Sequence, residues 1–150
     1  MKQENWKKIC LISFFSKGVV SSPNFPRKYP NNVKETQTIQ AEHGMLLMME
    51  FTFFAIWECN GVDICSCDYI KVVDGDGTTL MDKRCGFSSN PESSSDFFLP
   101  PTIMTNTNLV NIHFITDDTL THSGWSVSWE AIQPGELKKV PQLPLYIGPS

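Results

Sequence analysis

Short segments in which apolar and polar residues alternate run along this chain. Apolar and polar residues alternate in the centre of residues 109–116 and throughout residues 125–130, and a period of two places one set of side chains on each face of a β-strand. Asn108 and Asp117 flank the first segment and Gly124 precedes the second, and these residue types favour turns. The apolar positions of the two segments are Val110, Ile112, Phe114, Trp125, Val127 and Trp129.

The rest of the chain predicts further strands at residues 18–22, 36–40, 45–54, 69–73 and 78–81. Asp74-Gly75-Asp76-Gly77 separates the last two and predicts a hairpin turn. Residues 45–54 form the longest apolar run, and a ten-residue helix fits the same letters. Its β-rich neighbours favour a buried strand. This interpretation places Leu47, Met49, Phe51 and Phe53 on one face.

Many short strands with frequent turns predict an all-β fold, an antiparallel β-sandwich. Prolines at 23, 26 and 30 exclude a helix between the first two strands. The 150 residues suffice for one domain with a core. A net charge of -4 argues against a nucleic-acid surface, and no apolar run reaches the ~18 residues of a membrane span. Residues 7–15 lack the longer apolar core and cleavage site of a signal peptide.

The five cysteines are an odd number, so at most two disulfides form within the chain and one thiol is left over. Spacing alone leaves the pairing open. A zinc site of four thiolates is an alternative that requires a reducing compartment, although Cys65-Ser66-Cys67 departs from the usual zinc-knuckle spacing. The cysteines are Cys10, Cys59, Cys65, Cys67 and Cys85.

Several motifs in order resemble the CUB domain, an extracellular jelly-roll-like β-sandwich, from Cys10 to about Ile132. The opening is similar at residues 18–26 and 29–32, and Leu47, Met49, Phe51 and Phe54 match the apolar strand. The motif Cys-x-x-Asp-x-Val-x-Val corresponds to residues 65–72, and Cys-Gly to residues 85–86. Residues 114–117, 124–125 and 129 match the closing strands. Residues 1–9 are then an extension and residues 133–150 a tail or linker.

The resemblance implies a disulfide between Cys65 and Cys85, and we expect Cys59 and Cys67 to form a second, local one. The family's first bridge is incomplete here. Cys10 occupies the position of its first cysteine, but no cysteine lies near Glu35, where its partner belongs. Cys10 is therefore expected to be free or to pair outside this chain.

The resemblance also implies a calcium site at one end of the sandwich, as in a subset of CUB domains. Tyr29, Asp68 and Asp117 match the family's positions, while Trp57 occupies the glutamate position and Glu58 follows one residue later. A one-residue shift turns a side chain to the opposite face of a strand, and a β-bulge restores it. Asp118 and Thr119 could add a carbonyl and a hydroxyl oxygen. The alternative is that Asp68 and Asp117 only cap turns.

The expected function is therefore a non-catalytic, calcium-dependent extracellular protein-binding module. The same end of the sandwich would bind a basic Lys or Arg side chain of a partner, with Tyr29, Trp57 and Glu58 as binding residues. No catalytic motif is present, and the three histidines are expected at the surface. One alternative is a piece of a larger secreted CUB-containing protease. Another is a spermadhesin-like carbohydrate or gamete-surface binder, which calcium-independent binding to a glycan array would favour.

Overall fold

The computed structural model describes residues 16–87 and 99–135, and the described elements are eight β-strands. Cys10 and the tail beyond residue 135 lie outside the described residues. The sequence indicated seven of the strands and missed the two-residue β6. The strands are β1 (Lys17–Ser21), β2 (Lys34–Gln40), β3 (Leu46–Ala55), β4 (Tyr69–Asp74), β5 (Thr79–Arg84), β6 (Ile103–Met104), β7 (Leu109–Ile115) and β8 (Gly124–Ile132).

The strands form two four-stranded sheets that pack as a sandwich, which confirms the predicted fold class. One sheet has the order β1-β8-β3-β6 and the other β2-β7-β4-β5, with all neighbours antiparallel. Each sheet turns alternate residues inward, so apolar residues at every second position fill the space between the sheets. Residues of both sheets are buried in this space: Phe51, Ile70, Val72, Phe114, Trp125 and Val127.

The predicted face of β3 is wrong at Phe53. A β-bulge at Thr52 interrupts the pairing of β3 with β8, because Phe51 pairs with Val127 and Phe53 already pairs with Ser126. The extra residue reverses the alternation. Phe53 is therefore 39% exposed and packs edge-to-face against Phe25, while Phe54 is buried in the core.

The loops divide between the two ends of the sandwich. One end, which we call the loop end, carries residues 22–33, 56–68 and 116–123, together with residues 85–87 after β5. The opposite end carries the β2–β3 and β4–β5 turns and the β6–β7 loop. Asp74 is buried there and accepts hydrogen bonds from the N–H of Asn106 (2.6 Å) and the hydroxyl of Thr107 (2.6 Å). It therefore joins the hairpin to the β6–β7 loop.

Candidate functional site

The site residues that the sequence predicted lie in the three loops of the loop end. Two disulfides, Cys59–Cys67 and Cys65–Cys85, stabilise the longest of these loops. The first closes the loop on itself and the second ties it to the end of β5, as expected. Because these four sulfurs are paired, no thiolate remains among them for the zinc alternative. An isolated β-bridge between Ile56 and Gly86 holds the same two segments together.

Asp68 is the centre of the site and has no exposed surface. Its Oδ2 accepts a hydrogen bond from the Tyr29 hydroxyl (2.8 Å), and its Oδ1 accepts one from the N–H of Asp117 (2.9 Å). The Tyr29 hydroxyl in turn accepts from the N–H of Trp57 (2.9 Å). One buried carboxylate thus connects all three loops.

Tyr29 holds Asp68 in place rather than offering its own ring to a partner, since only 1% of its surface is exposed. Its N–H donates to the carbonyl of His122 (3.0 Å) and its ring packs edge-to-face on Phe114. Burial raises the pKa of the Tyr29 hydroxyl, and the hydrogen bond to Asp68 adds to the rise. The phenol therefore stays a hydrogen-bond donor.

The charge state of Asp68 depends on its burial first and on the neighbouring Asp117 second. Burial raises the pKa of the Asp68 carboxyl above its usual value. The hydrogen bonds from Asp117 N–H and Tyr29 act against this rise, and the nearby Asp117 carboxylate adds to it. A positive group placed here stabilises the ionised form of the pair.

The other predicted metal ligands are arranged less closely. Asp117 is half-buried, and its Oδ1 accepts the N–H of the exposed Thr119 (3.1 Å), while Asp118 is exposed. The Glu58 carboxylate lies beside Gly86, and its Oε2 is 3.2 Å from where a Cβ on that glycine would stand. The bulge of β3 lies at Thr52, not next to Glu58. Within residues 16–87 and 99–135, no three His, Cys, Asp or Glu side chains are grouped closely enough to hold a metal.

Trp57 is half-buried and belongs to a row of rings that the sequence did not indicate. Its indole stacks on Phe87, with ring centroids 5.4 Å apart, and Phe87 packs on His122 at 4.5 Å. His122 is thus half-buried against Phe87, and one side of its ring is shielded from solvent. Burial lowers the pKa of this imidazole, and the positive charge of Lys28 lowers it further. The Cys85-Gly86 motif places Phe87 at the end of β5, but only the tertiary structure brings its ring to Trp57.

The other histidines carry no chemistry at the loop end. His113 lies on the outer face of its sheet, where its Nδ1 is 2.8 Å from the Thr36 hydroxyl, and His43 is exposed in the β2–β3 turn.

In the part of the chain that the structure describes, no helix is both long and apolar enough to cross a bilayer.

Comparisons with known proteins place this geometry among related domains. A family model described as "CUB domain" matches residues 13–129. Cubilin of Homo sapiens is 32% identical over 118 residues, which are 79% of this chain and 3% of cubilin. Mannan-binding lectin serine protease 1 of Mus musculus is 29% identical over 114 residues, 76% of this chain and 14% of the protease. The chain thus spans a small part of these relatives.

A solved structure described as the MASP-1 CUB2 domain bound to Ca²⁺ has the same fold. It superposes with a TM-score of 0.63 at 26% sequence identity, and the match covers 77% of this chain and 93% of that domain.

Proposed function

Because the chain belongs to the CUB domain family, we propose that it is a non-catalytic extracellular module that binds a protein partner through its loop end. Two disulfides among the described residues support an oxidising compartment. The two packed sheets position the three loops, and loops on a rigid scaffold commonly carry binding residues.

The buried Asp68 beside the Asp117 carboxylate is the observation that carries this proposal. A carboxyl with a raised pKa next to a second carboxylate favours a cationic neighbour. A Lys or Arg side chain of the partner supplies that charge and forms charge-assisted hydrogen bonds with carboxylate oxygens. Asp117 is more exposed than Asp68, so we assign the direct contact with the partner's basic side chain to Asp117.

We further propose that Ca²⁺ binds at this pair. Calcium takes six to eight oxygen ligands, so Asp68 and Asp117 supply part of the shell. Asp118 and Thr119 lie in the same loop as Asp117, and Glu58 lies in the same loop as Asp68. The structural relative named as bound to Ca²⁺ supports the choice of ion. The chain departs from the family pattern at Trp57, where the family has a glutamate, so Glu58 is the carboxylate to test.

Calorimetric titration with CaCl₂ tests calcium binding. We expect the parent chain to bind, and Asp117→Asn to bind at least ~10-fold more weakly, since even residues behind metal ligands are worth that much. Asp76→Asn is the matched control: it changes an exposed aspartate in the hairpin turn at the opposite end, and its affinity should equal the parent's. Glu58→Gln shows whether that carboxylate takes part.

Two results would contradict the calcium proposal: no heat of binding, and a melting temperature that EDTA leaves unchanged. The basic-partner proposal is tested separately, because an electrostatic contact weakens as salt rises. An affinity for the partner that is the same at about 0.05 and 0.5 M NaCl would argue against a basic partner residue.

A second candidate is that this module is one part of a larger secreted protease. The mouse relative is a serine protease of which the chain spans 14%. The activity would then belong to another domain of the whole protein. A full-length transcript that encodes a protease domain in frame with this chain tests that candidate.

A further inference from the structure

The loop end carries most of the large apolar side chains that are exposed in the described part of the chain. Of five exposed large apolar residues in the described part of the chain, Val62, Ile64 and Leu120 lie in loops beside Asp68 and Asp117. Their exposed fractions are 105%, 44% and 57%. Single exposed apolar residues are ordinary, but several that adjoin a charged site are typical of a binding surface.

Rings add to this surface. The row Trp57–Phe87–His122 connects the loop after β3 to the loop before β8. The Cys85 Sγ lies 3.3 Å from the Ile64 carbonyl oxygen, and Phe87 follows Cys85 by two residues. The exposed loops and the ring row therefore belong to one end of the molecule. We name the following six residues the apolar rim: Trp57, Val62, Ile64, Phe87, Leu120 and His122.

Leu120 provides an independent observation. Its φ is +52°, in the left-handed region that leucine rarely adopts, and its side chain is more than half exposed. Asn or Gly fits that conformation at lower cost. Neither backbone conformation nor burial in the fold accounts for a leucine here. Residues held in unfavourable conformations are concentrated at ligand-contacting sites.

The charges around the apolar rim define the partner. Glu58, Asp63 and Asp118 are exposed in the same loops, and Asp117 is half-buried. Arg27 and Lys28 are the basic residues of the three loops, and both are exposed. The five carboxylates of these loops, the buried Asp68 included, outnumber the two cations, so a basic ligand complements this end.

We propose that the apolar rim binds an extended protein segment in which a Lys or Arg has an aromatic or aliphatic residue within two positions. The basic side chain reaches the Asp117 carboxylate and the adjacent apolar side chain packs on the rim. This inference rests on the proposed function for the basic residue, whereas the apolar contact is independent of it and of calcium. Aromatic anchors at such a surface commonly supply most of the binding energy.

Selection from a displayed library of random twelve-residue peptides tests the sequence preference. The target is the immobilised full chain with CaCl₂ present. We expect enriched peptides to pair Lys or Arg with an apolar residue within two positions. Enrichment of basic residues without apolar neighbours, or no enrichment at all, would overturn the inference.

Titration of the most enriched synthetic peptide identifies the surface. Leu120→Asn keeps the left-handed conformation favourable and Val62→Ser changes a fully exposed residue, so neither should lower the melting temperature. Each should weaken binding by ~10-fold or more, the loss expected from a residue that contributes substantially to an interface. Val19→Ser, which changes a 65% exposed valine in β1, should leave affinity within about twofold.

The outcomes separate this inference from the proposed function. If Asp117→Asn weakens binding and the rim variants do not, the proposed function stands and the inference fails. If the rim variants weaken binding and Asp117→Asn does not, the basic contact fails and the apolar contact stands. Self-association of the chain that Leu120→Asn abolishes would assign the rim to a second copy, and the proposed partner would be wrong.

Discussion

Phe114 illustrates how one residue joins both sheets to the loop end. It is fully buried in β7, and its ring packs edge-to-face against Tyr29 (5.0 Å between centroids) and against Trp125 of the opposite sheet (5.9 Å). Edge-to-face pairs add to the stabilisation that burial of the rings supplies. The hydroxyl of the same Tyr29 holds Asp68, so the core and the candidate site share a side chain.

Phe114→Ala should lower the free energy of unfolding by about 3–5 kcal/mol, because it opens a large cavity between the sheets. Urea unfolding followed by fluorescence measures the change. Phe53→Ala is the matched control and should cost at most about 2 kcal/mol, since its ring is 39% exposed. Equal losses for the two variants would contradict the face assignment of both strands.

His122 is the residue at which stability should depend on pH. Burial lowers the pKa of its imidazole from the usual 6.5, with a further lowering from Lys28, and its Nδ1 accepts the N–H of Ser123 (2.8 Å). The folded state therefore favours the neutral ring. The stability that this preference contributes is present above pH 6.5 and is lost as the pH falls through the lowered folded pKa.

His122→Gln should consequently lose less stability than the parent when the pH is lowered from about 7 to about 5. Urea unfolding at a series of pH values, in EDTA, measures the difference. Lys28→Gln should raise the pKa of His122, which an NMR titration of the imidazole protons reports. A His122 that titrates at 6.5 or above in the parent chain would show that the ring is solvated.

Strand β3 shows how an element departs from strict alternation without losing its partner. Because Thr52 is an extra, unpaired residue in β3, Phe51, Phe53 and Phe54 pair with three consecutive residues of β8. Phe51 and Phe54 both face the core as a result. An unbulged strand with the same letters would bury Phe53 and expose Phe54.

Deletion of Thr52 should therefore be tolerated, because the residues on both sides of it keep their partners and their faces. Deletion of Met48 is the control, since it lies in the regularly paired part of the strand, opposite Glu130. That deletion shifts one side of the strand by a residue and turns its side chains to the wrong face. Deletion of Thr52 should lower the melting temperature slightly, and deletion of Met48 should lower it severely. The reverse order would disprove the bulge.

At the scale of the whole molecule, the two disulfides act only on the loop end. Cys65–Cys85 closes a separation of 20 residues, and Cys59–Cys67 one of 8. The opposite end relies instead on the hydrogen bonds of the buried Asp74. The end proposed to bind partners is thus the end where disulfides constrain the loop of residues 56–68.

Replacing Cys65 and Cys85 together by serine should lower the stability by roughly 3 kcal/mol, from the entropy of the closed loop in the unfolded chain. The Cys59/Cys67 double variant should lose less, about 2.5 kcal/mol, because its loop is shorter. Denaturant unfolding measures both. Peptide mapping of oxidised, secreted protein should recover both bridges, and free thiols at residues 65 and 85 would contradict the assignment.

Much of the architecture follows from the sequence by itself. Alternation of apolar and polar residues depends only on nearby positions in the chain, and a β-strand places alternate residues on opposite faces. Alternation in residues 109–116 and 125–130 indicated β7 and β8 with the correct buried faces, and Asp-Gly turns indicated the β4–β5 hairpin. The resemblance to the CUB family also predicts Tyr29 and Asp117 as neighbours of Asp68, because both match family positions in order along the chain.

Only the tertiary structure decided what distant segments do when they meet. The bulge at Thr52 depends on the partner strand, so local alternation misplaced Phe53. The stack of Phe87 between Trp57 and His122 joins three segments with no shared periodicity. The raised pKa of Asp68 and the position of Glu58 beside Gly86 likewise depend on burial and on neighbours from other loops. Burial, charge and ring contacts depend on which residues are close in space. Those residues are far apart in the sequence, so a local sequence pattern does not reveal them.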